Sequence, residues 1–215
     1  MSLSNSRRVM GLFVITMSFM LWGCASSPYA YFKPCPEERK FVPQKKIAVV
    51  SGRSDELSIA LAGKIGKEIE KTNLFTVLSQ EDIRKRIPKY PDEVDIIDFS
   101  LVKNNDLEDK KRTPWMSDGS KSTVDDIARK LKVDYVYIVW TENIISTIKE
   151  FETLFEMPYL SRMVEYPSGE VVAYSWVWAH KGVVSFEGEP EEQILKLEDF
   201  VAAEFAKEFE KSVAK

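Results

Sequence analysis

The side chains best suited to covalent or acid–base chemistry are few: two thiols, Cys24 and Cys35, and one imidazole, His180. Cys24 follows Gly23 at the end of an almost wholly apolar run, Met10 to Trp22, interrupted only by Thr16 and Ser18 and preceded by Arg7 and Arg8. A basic start, an apolar stretch of this length and an abrupt change to small polar residues read as an export signal. The run falls short of the roughly 20 residues that a membrane-crossing helix needs. His180 lies in "SWVWAH", in alternation with aromatic residues, where a structural histidine is expected and no partner is visible to tune its pKa. No serine stands in a nucleophile elbow. Gly63 and Gly66 sit inside a helical pattern rather than in a phosphate-binding loop. Carboxylates are plentiful, but no pair stands out from the solvated faces they decorate. Cys35 and His180 alone cannot make a structural zinc site. The expectation is a protein that is not an enzyme and holds no cofactor and no metal.

The quartet Leu21-Trp22-Gly23-Cys24 resembles the lipobox of bacterial lipoproteins. The resemblance implies a diacylglycerol thioether on Cys24, removal of residues 1–23 as a signal peptide, and an acylated mature N-terminus. The chemistry needs a thiol as nucleophile toward the lipid donor and a small residue where the peptidase approaches. Ala25 follows the cysteine, which by the same resemblance favours the outer membrane, facing the periplasm. The membrane is thus an expected partner, reached through the lipid on Cys24.

Composition agrees with a packed domain. The chain has 215 residues, 44% hydrophobic and 30% charged, with a formal net charge of -4. Loss of Arg7 and Arg8 with the signal takes the mature chain to -6. A mildly acidic surface argues against nucleic acid as a partner, because phosphate binding depends on basic patches that displace counterions.

Residues 24–44 contain Pro28, Pro34, Pro36 and Pro43 and read as a flexible tether with a reach of about 25 Å. Residues 45–215 read as one α/β domain. Ile47 to Val50 is a β-branched run with the look of a buried strand. Leu57, Leu61, Ile65 and Ile69 recur every four residues and predict an amphipathic helix to about Lys71. Leu74 to Ser79 reads as a strand, and Gln80 to Ile87 as a short helix closed by Pro88. An insertion near 91–122 includes a polar loop, Lys103 to Ser122, with Trp115 inside it. Thr123 opens a further helix. In "VDYVYIVW", Val133 to Trp140, both alternating sets are apolar or aromatic, as in a strand covered on both faces. Phe151 to Tyr166 and Glu170 to His180 read as a strand pair turning at Pro167-Ser168-Gly169. Tyr174, Trp176, Trp178 and His180 share one face of the second strand. A long helix from Pro190 to Val213 carries the stripe Ile194, Leu197, Val201, Phe205 and Phe209.

"KKIAVVSGRSDELSIALAGKIGKEIEKTNLFTVLSQEDIRKRI" resembles the opening of the amino-terminal domain of TolB and of the curli secretion lipoprotein (CsgG-like) family. "IARKLKVDYVYIVWTE" and "VEYPSGEVVAYSWVW" match its later helix–strand and strand–glycine–strand units, with Trp140-Thr141 where a glycine usually stands. The resemblance covers most of residues 45–213 and implies a single mixed β-sheet with packed helices and a long C-terminal helix. It also implies a membrane-tethered envelope lipoprotein that binds or assembles proteins. The alternatives are a subunit of an outer-membrane secretion or assembly complex, and an envelope enzyme of unknown type. The expected partner is an unidentified envelope protein. The expected contacts are Trp115, in a loop too charged to form a core of its own, and the aromatic residues Tyr174, Trp176 and Trp178. In cells, Cys24→Ala is expected to abolish incorporation of a fatty-acid probe while the parent protein is labelled; equal labelling of both rules out acylation at Cys24.

Overall fold

A computed structural model describes residues 29–91, 114, 116–141, 145–149, 152–184 and 190–213. The elements follow in the order β1 (Tyr29–Pro34), β2 (Lys45–Ser51), α1 (Glu56–Lys71), β3 (Phe75–Leu78), α2 (Gln80–Arg86), α3 (Asp118–Leu131), β4 (Tyr135–Thr141), β5 (Ile145–Lys149), β6 (Glu152–Glu165), β7 (Glu170–Val184) and α4 (Pro190–Val213). They form the expected α/β architecture: one mixed sheet, helices packed on it, and a long C-terminal helix. Six strands lie in the order β1-β7-β6-β4-β2-β3, and β5 pairs with β6 off this path. The strands β3, β2 and β4 are parallel, whereas β4, β6, β7 and β1 are antiparallel neighbours.

Local chemistry sets the helix ends. The Asp55 carboxylate caps α1 by accepting from the Ser58 backbone N–H at 2.9 Å. Ser79 and Ser117 cap α2 and α3 in the same way. Lys132 ends α3 in the left-handed region, with φ 57°. Leu61, Ile65 and Ile69 of α1 are buried, as their four-residue spacing predicts. Gly66 faces β2, where a Cβ would stand at an ordinary contact distance of 3.7 Å from Val49.

The sheet buries apolar side chains on both faces. On one face α1 and α4 cover Ile47, Val49, Tyr137, Tyr159 and Val177, with Phe205 and Phe209 of α4 at the centre. On the other, α2 and α3 contribute Ile83, Val124, Ile127 and Leu131 to a core with Val50, Val136, Ile138 and Leu160. A bulge breaks the β6–β7 ladder: Met163 opposes Ala173 but Val164 opposes Val171. Val172 is the extra residue, and both Val172 and Ala173 join the first core.

Two expectations are corrected. From Tyr29 onward the supposed tether is part of the domain. The strand β1 pairs with β7 from Tyr29 opposite Trp178 to Pro34 opposite Ala173, and Cys35 N–H donates to the Val172 carbonyl at 2.8 Å. Phe32 is 4% exposed, with its ring centroid 4.9 Å from Phe209 and 6.1 Å from Phe205. Phe41 is also in this core. The prolines misled because Pro34 closes an edge strand, where a missing N–H is tolerated. The second correction concerns α3, which begins at Asp118 rather than Thr123. Ser117 supplies the cap and Ser120 is buried, so a stretch polar enough to resemble loop forms the first turn. The remainder of the expected loop, 103–113 and Trp115, lies outside the described residues, as do the lipobox and residues 24–28.

Phe32→Ala is expected to lower unfolding free energy by about 3–5 kcal/mol in chemical denaturation, the usual cost of emptying a buried phenylalanine site. A change below about 0.5 kcal/mol, typical of a surface position, contradicts a structural β1.

Candidate functional site

Ligands of open α/β sheets bind beyond the carboxyl ends of parallel strands, where consecutive connections leave on opposite faces. In this sheet that place lies between β2 and β4. The chain leaves β2 through α1 on one face and reaches β4 through α2 and α3 on the other. The residues gathered there are Ser51, Gly52, Arg53, Asp55, Ser58 and Thr141. Their polar groups bind one another. Ser51 N–H donates to the Tyr90 hydroxyl at 2.7 Å, and Gly52 N–H donates to the Val139 carbonyl at 2.7 Å. A Cβ on Gly52 would meet Ile138 Cγ2 at 3.1 Å, tighter than an ordinary contact, so a larger residue would press on the Ile138 side chain. Asp55 accepts from both the backbone N–H and the hydroxyl of Ser58, and Arg53 Nε lies 3.1 Å from its Oδ2. Arg53 also donates to the Thr141 carbonyl at 3.3 Å. The carboxylate of Asp55 therefore occupies the helix N-terminus that an anionic ligand would use, and its charge repels one.

The first face of the sheet holds a cluster of hydroxyls: Tyr137, Tyr159, Ser161 and Ser175. The Tyr137 oxygen lies 3.0 Å from those of Tyr159 and Ser175, and Ser161 donates to Tyr137. Burial drives the Tyr137 phenol well above its ordinary pKa and pushes Tyr159 up to about 12. Both phenols stay neutral near pH 7. The cluster satisfies polar atoms inside the core and contains neither a histidine nor a carboxylate to activate its serines.

The second face carries an arginine–aromatic layer. Arg162, on β6, is 1% exposed. Its guanidinium carbon stands 5.6 Å from the Trp140 ring centroid and 5.8 Å from that of Tyr174, and Nη1 donates to the Ser161 carbonyl at 2.7 Å. Burial lowers its pKa to about 10, against the opposing effect of Tyr31, Tyr137 and Tyr174, so it remains charged near pH 7. Trp176 and Trp178 lie 6.1 Å apart, and Tyr31 meets Tyr174 edge to face at 5.8 Å. Lys33 Nζ is 5.0 Å from the Tyr31 ring centroid.

The expected contact residues separate here. Trp176 is only 2% exposed and belongs to the second core, opposite Leu160 in the ladder; this corrects its assignment to a binding surface. Tyr174 and Trp178 are half-buried and retain accessible edge. Trp115, Cys24 and the side chain of His180 lie outside the described residues; the His180 backbone pairs opposite Glu156. Sequence reasoning missed Arg162. The available signal was an arginine at an inward position, between Leu160 and Val164 on a strand of alternating pattern. Among the described residues, no group of three or more His, Cys, Asp or Glu side chains is placed to hold a metal. A groove of about 500 Å³ opens at the far end of β1, lined by Phe32, Lys33, Glu37, Arg39, Lys40 and Ser212 among others.

The opposite end of the parallel strands is held by charge. Asp134 accepts from Lys45 Nζ at 2.8 Å and from Lys46 N–H at 2.8 Å. Arg39 pairs with Glu165 at 2.6 Å.

No family model matches the chain, and no curated protein matches it in sequence. Solved structures show similarity over part or most of the chain, at TM-scores below 0.5. A single-substitution variant of the PelC dodecamer from Paraburkholderia phytofirmans is 10% identical, with 84% of this chain and 99% of that one covered and a TM-score of 0.43. Lipoprotein GNA1162 from Neisseria meningitidis is 10% identical, with 77% and 99% covered and a TM-score of 0.42. A putative lipoprotein from Caulobacter crescentus is 14% identical, with 45% and 80% covered and a TM-score of 0.29.

Acid should weaken the Asp134 contact. Burial alone would raise the Asp134 pKa, but the hydrogen bonds and charges of Lys45 and Lys46 outweigh it and hold the carboxyl below its ordinary value. A depressed folded-state pKa contributes stability above the unfolded value, about 3.9, that is lost as pH falls through the folded one. Asp134→Asn is therefore expected to lower Tm at pH 7 and to flatten the loss of Tm on acidification below about pH 4. An unchanged acid limb in the variant excludes this contribution.

Proposed function

We propose that the protein is a lipid-anchored lipoprotein of the cell envelope that works by binding another envelope protein rather than by catalysis. The observation that carries this reading is the N-terminal sequence: Arg7-Arg8, the apolar run Met10 to Trp22, and Leu21-Trp22-Gly23-Cys24. The anchor is the lipid on Cys24, and Ala25 favours the periplasmic side of the outer membrane. Among the described residues no helix is long and apolar enough to cross a membrane. The polar groups at the ligand-binding position of the fold are engaged with one another, and Asp55 fills the helix N-terminus. This supports a role in protein contact. The contact surface we favour is the half-buried aromatic strip of Tyr31, Tyr174 and Trp178 along β1 and β7, flanked by the exposed Lys33. Aromatic side chains with accessible edges beside a cation are the residue types that dominate binding hot spots. Trp115 is a second proposed contact.

A second reading, a subunit of an outer-membrane secretion or assembly complex, is favoured by the lengths of β6 and β7, 14 and 15 residues. The protein lacking residues 1–24 separates the two: solubility without detergent supports the first reading and an obligate detergent requirement the second.

A photo-crosslinking residue at Trp178 in the intact cell envelope is expected to trap one discrete protein. The double variant Tyr174→Ala/Trp178→Ala should bind that protein about tenfold more weakly or worse, the loss of a hot spot, with the fold intact by circular dichroism. Unchanged affinity in the double variant moves the binding surface elsewhere.

A further inference from the structure

We infer that the end of the sheet formed by β5, β6 and β7 rests in the interface of the bilayer that holds Cys24. The inference depends on the lipid anchor proposed above and on the position of β1. Tyr29, the first residue of β1, opposes Trp178 of β7, and the two strands are antiparallel. The chain before Tyr29 therefore leaves β1 at the end toward which β7 continues. Beyond Trp178, β7 runs on to Val184. Six further residues at about 3.4 Å each add about 20 Å of strand in that direction.

The leash is no longer than this extension. From Cys24 to Tyr29 there are five residue steps, which span at most about 18 Å when fully extended. Each residue before Tyr29 can advance at most one ladder position along β7. Cys24 can thus reach no farther than the level of Val183, one residue short of the end of the strand. A lipid whose chains lie in the membrane fixes Cys24 at the headgroup level, so with the strands directed toward the membrane β7 meets the bilayer before the leash is taut. The neighbouring strands go with it: Glu152 opposes Val184, and Ile145 to Lys149 of β5 pair with Glu156 to Glu152 of β6.

The depth is limited by strand length. Of the 14 residues of β6, the seven from Tyr159 to Glu165 pair with β4 in the body of the sheet, leaving seven from Glu152 to Pro158. A strand needs roughly 9–11 residues to cross a bilayer. The extension therefore sits at the headgroup level and does not traverse the membrane, and Arg39 and Lys40, beyond the other end of β1, face away from it.

The test uses the full-length acylated protein in vesicles of phosphatidylethanolamine and phosphatidylglycerol. A nitroxide is attached to a cysteine replacing Glu156, or Lys40, in a Cys35→Ser background. Glu156 is expected to show a several-fold higher ratio of oxygen to nickel-chelate accessibility than Lys40. Inserting about 20 Gly and Ser residues between Ser27 and Pro28, which adds a reach of about 25 Å, should remove most of that difference. A label at Glu156 as open to the aqueous chelate as one at Lys40, in protein that carries the acyl group, overturns the inference while leaving the anchor in place. Protein without an acyl group overturns the anchor itself and the inference with it. If Glu156→Cys fails to fold, a label replacing Trp178, next along the extension, is read against Lys40 by the same criterion.

Discussion

Strand β4 has no face that water reaches: every residue from Tyr135 to Thr141 is buried. A seven-residue strand of this kind must be covered by side chains above and below, and the rest of the fold follows from meeting that need. Parallel pairing to β2 and antiparallel pairing to β6 satisfy its backbone. α1 and α4 cover Tyr137 and Val139, while α2 and α3 contribute to the core around Val136 and Ile138. A three-layer arrangement results because two independent apolar faces cannot be buried by one layer of helices. The long helix α4 matters most to the first face. Its Phe205 and Phe209 reach Phe32 at one edge, Phe75 at the other, and Tyr137 and Tyr159 between them.

The two faces handle buried polarity differently. On the first, four hydroxyls bind one another and none carries charge. On the second, a guanidinium is sunk among tryptophan and tyrosine rings. An isolated buried charge is costly unless it finds compensating contacts. For Arg162 these include the Ser161 carbonyl and two aromatic faces, and the charge survives with its pKa lowered rather than lost. The arrangement also gives the broad buried ring of Trp140 a planar cation to lie against.

The ends of the sheet are equally distinct. At the carboxyl ends of β2 and β4, Asp55 caps a helix and pairs with Arg53, so the position at which related architectures hold phosphates is filled from within. At the opposite end, Lys45, Asp134, Arg39, Tyr135 and Glu165 tie β2, β4 and β6 to the chain that follows β1. Among the described residues, the charged groups at both ends are engaged in these local contacts. Along β1 and β7 the half-buried rings of Tyr31, Tyr174 and Trp178 lie beside the exposed Lys33.

Much of this was legible from periodicity. The all-apolar alternation of Val133 to Trp140, the four-residue spacing of Leu61, Ile65 and Ile69, and the stripe Leu197, Val201, Phe205 and Phe209 are local patterns. Each largely determines its own element and buried face. The signal-like N-terminus and its cysteine are likewise read from sequence alone. Tertiary structure decided the exceptions. Proline-rich residues after Cys24 looked like tether, yet Phe32 is core because Phe205 and Phe209 return from the far end of the chain to cover it. Trp176 looked like surface until β6 set Leu160 opposite it, and Arg162 gained a place in the core only when Trp140 and Tyr174 arrived on neighbouring strands. Asp55 caps α1 through a contact local in sequence, but its closing of the switch point depends on the crossover that puts β4 beside β2. The reason is common to all: periodicity records which face a residue occupies, whereas burial depends on partners distant in sequence, which strand order alone brings together.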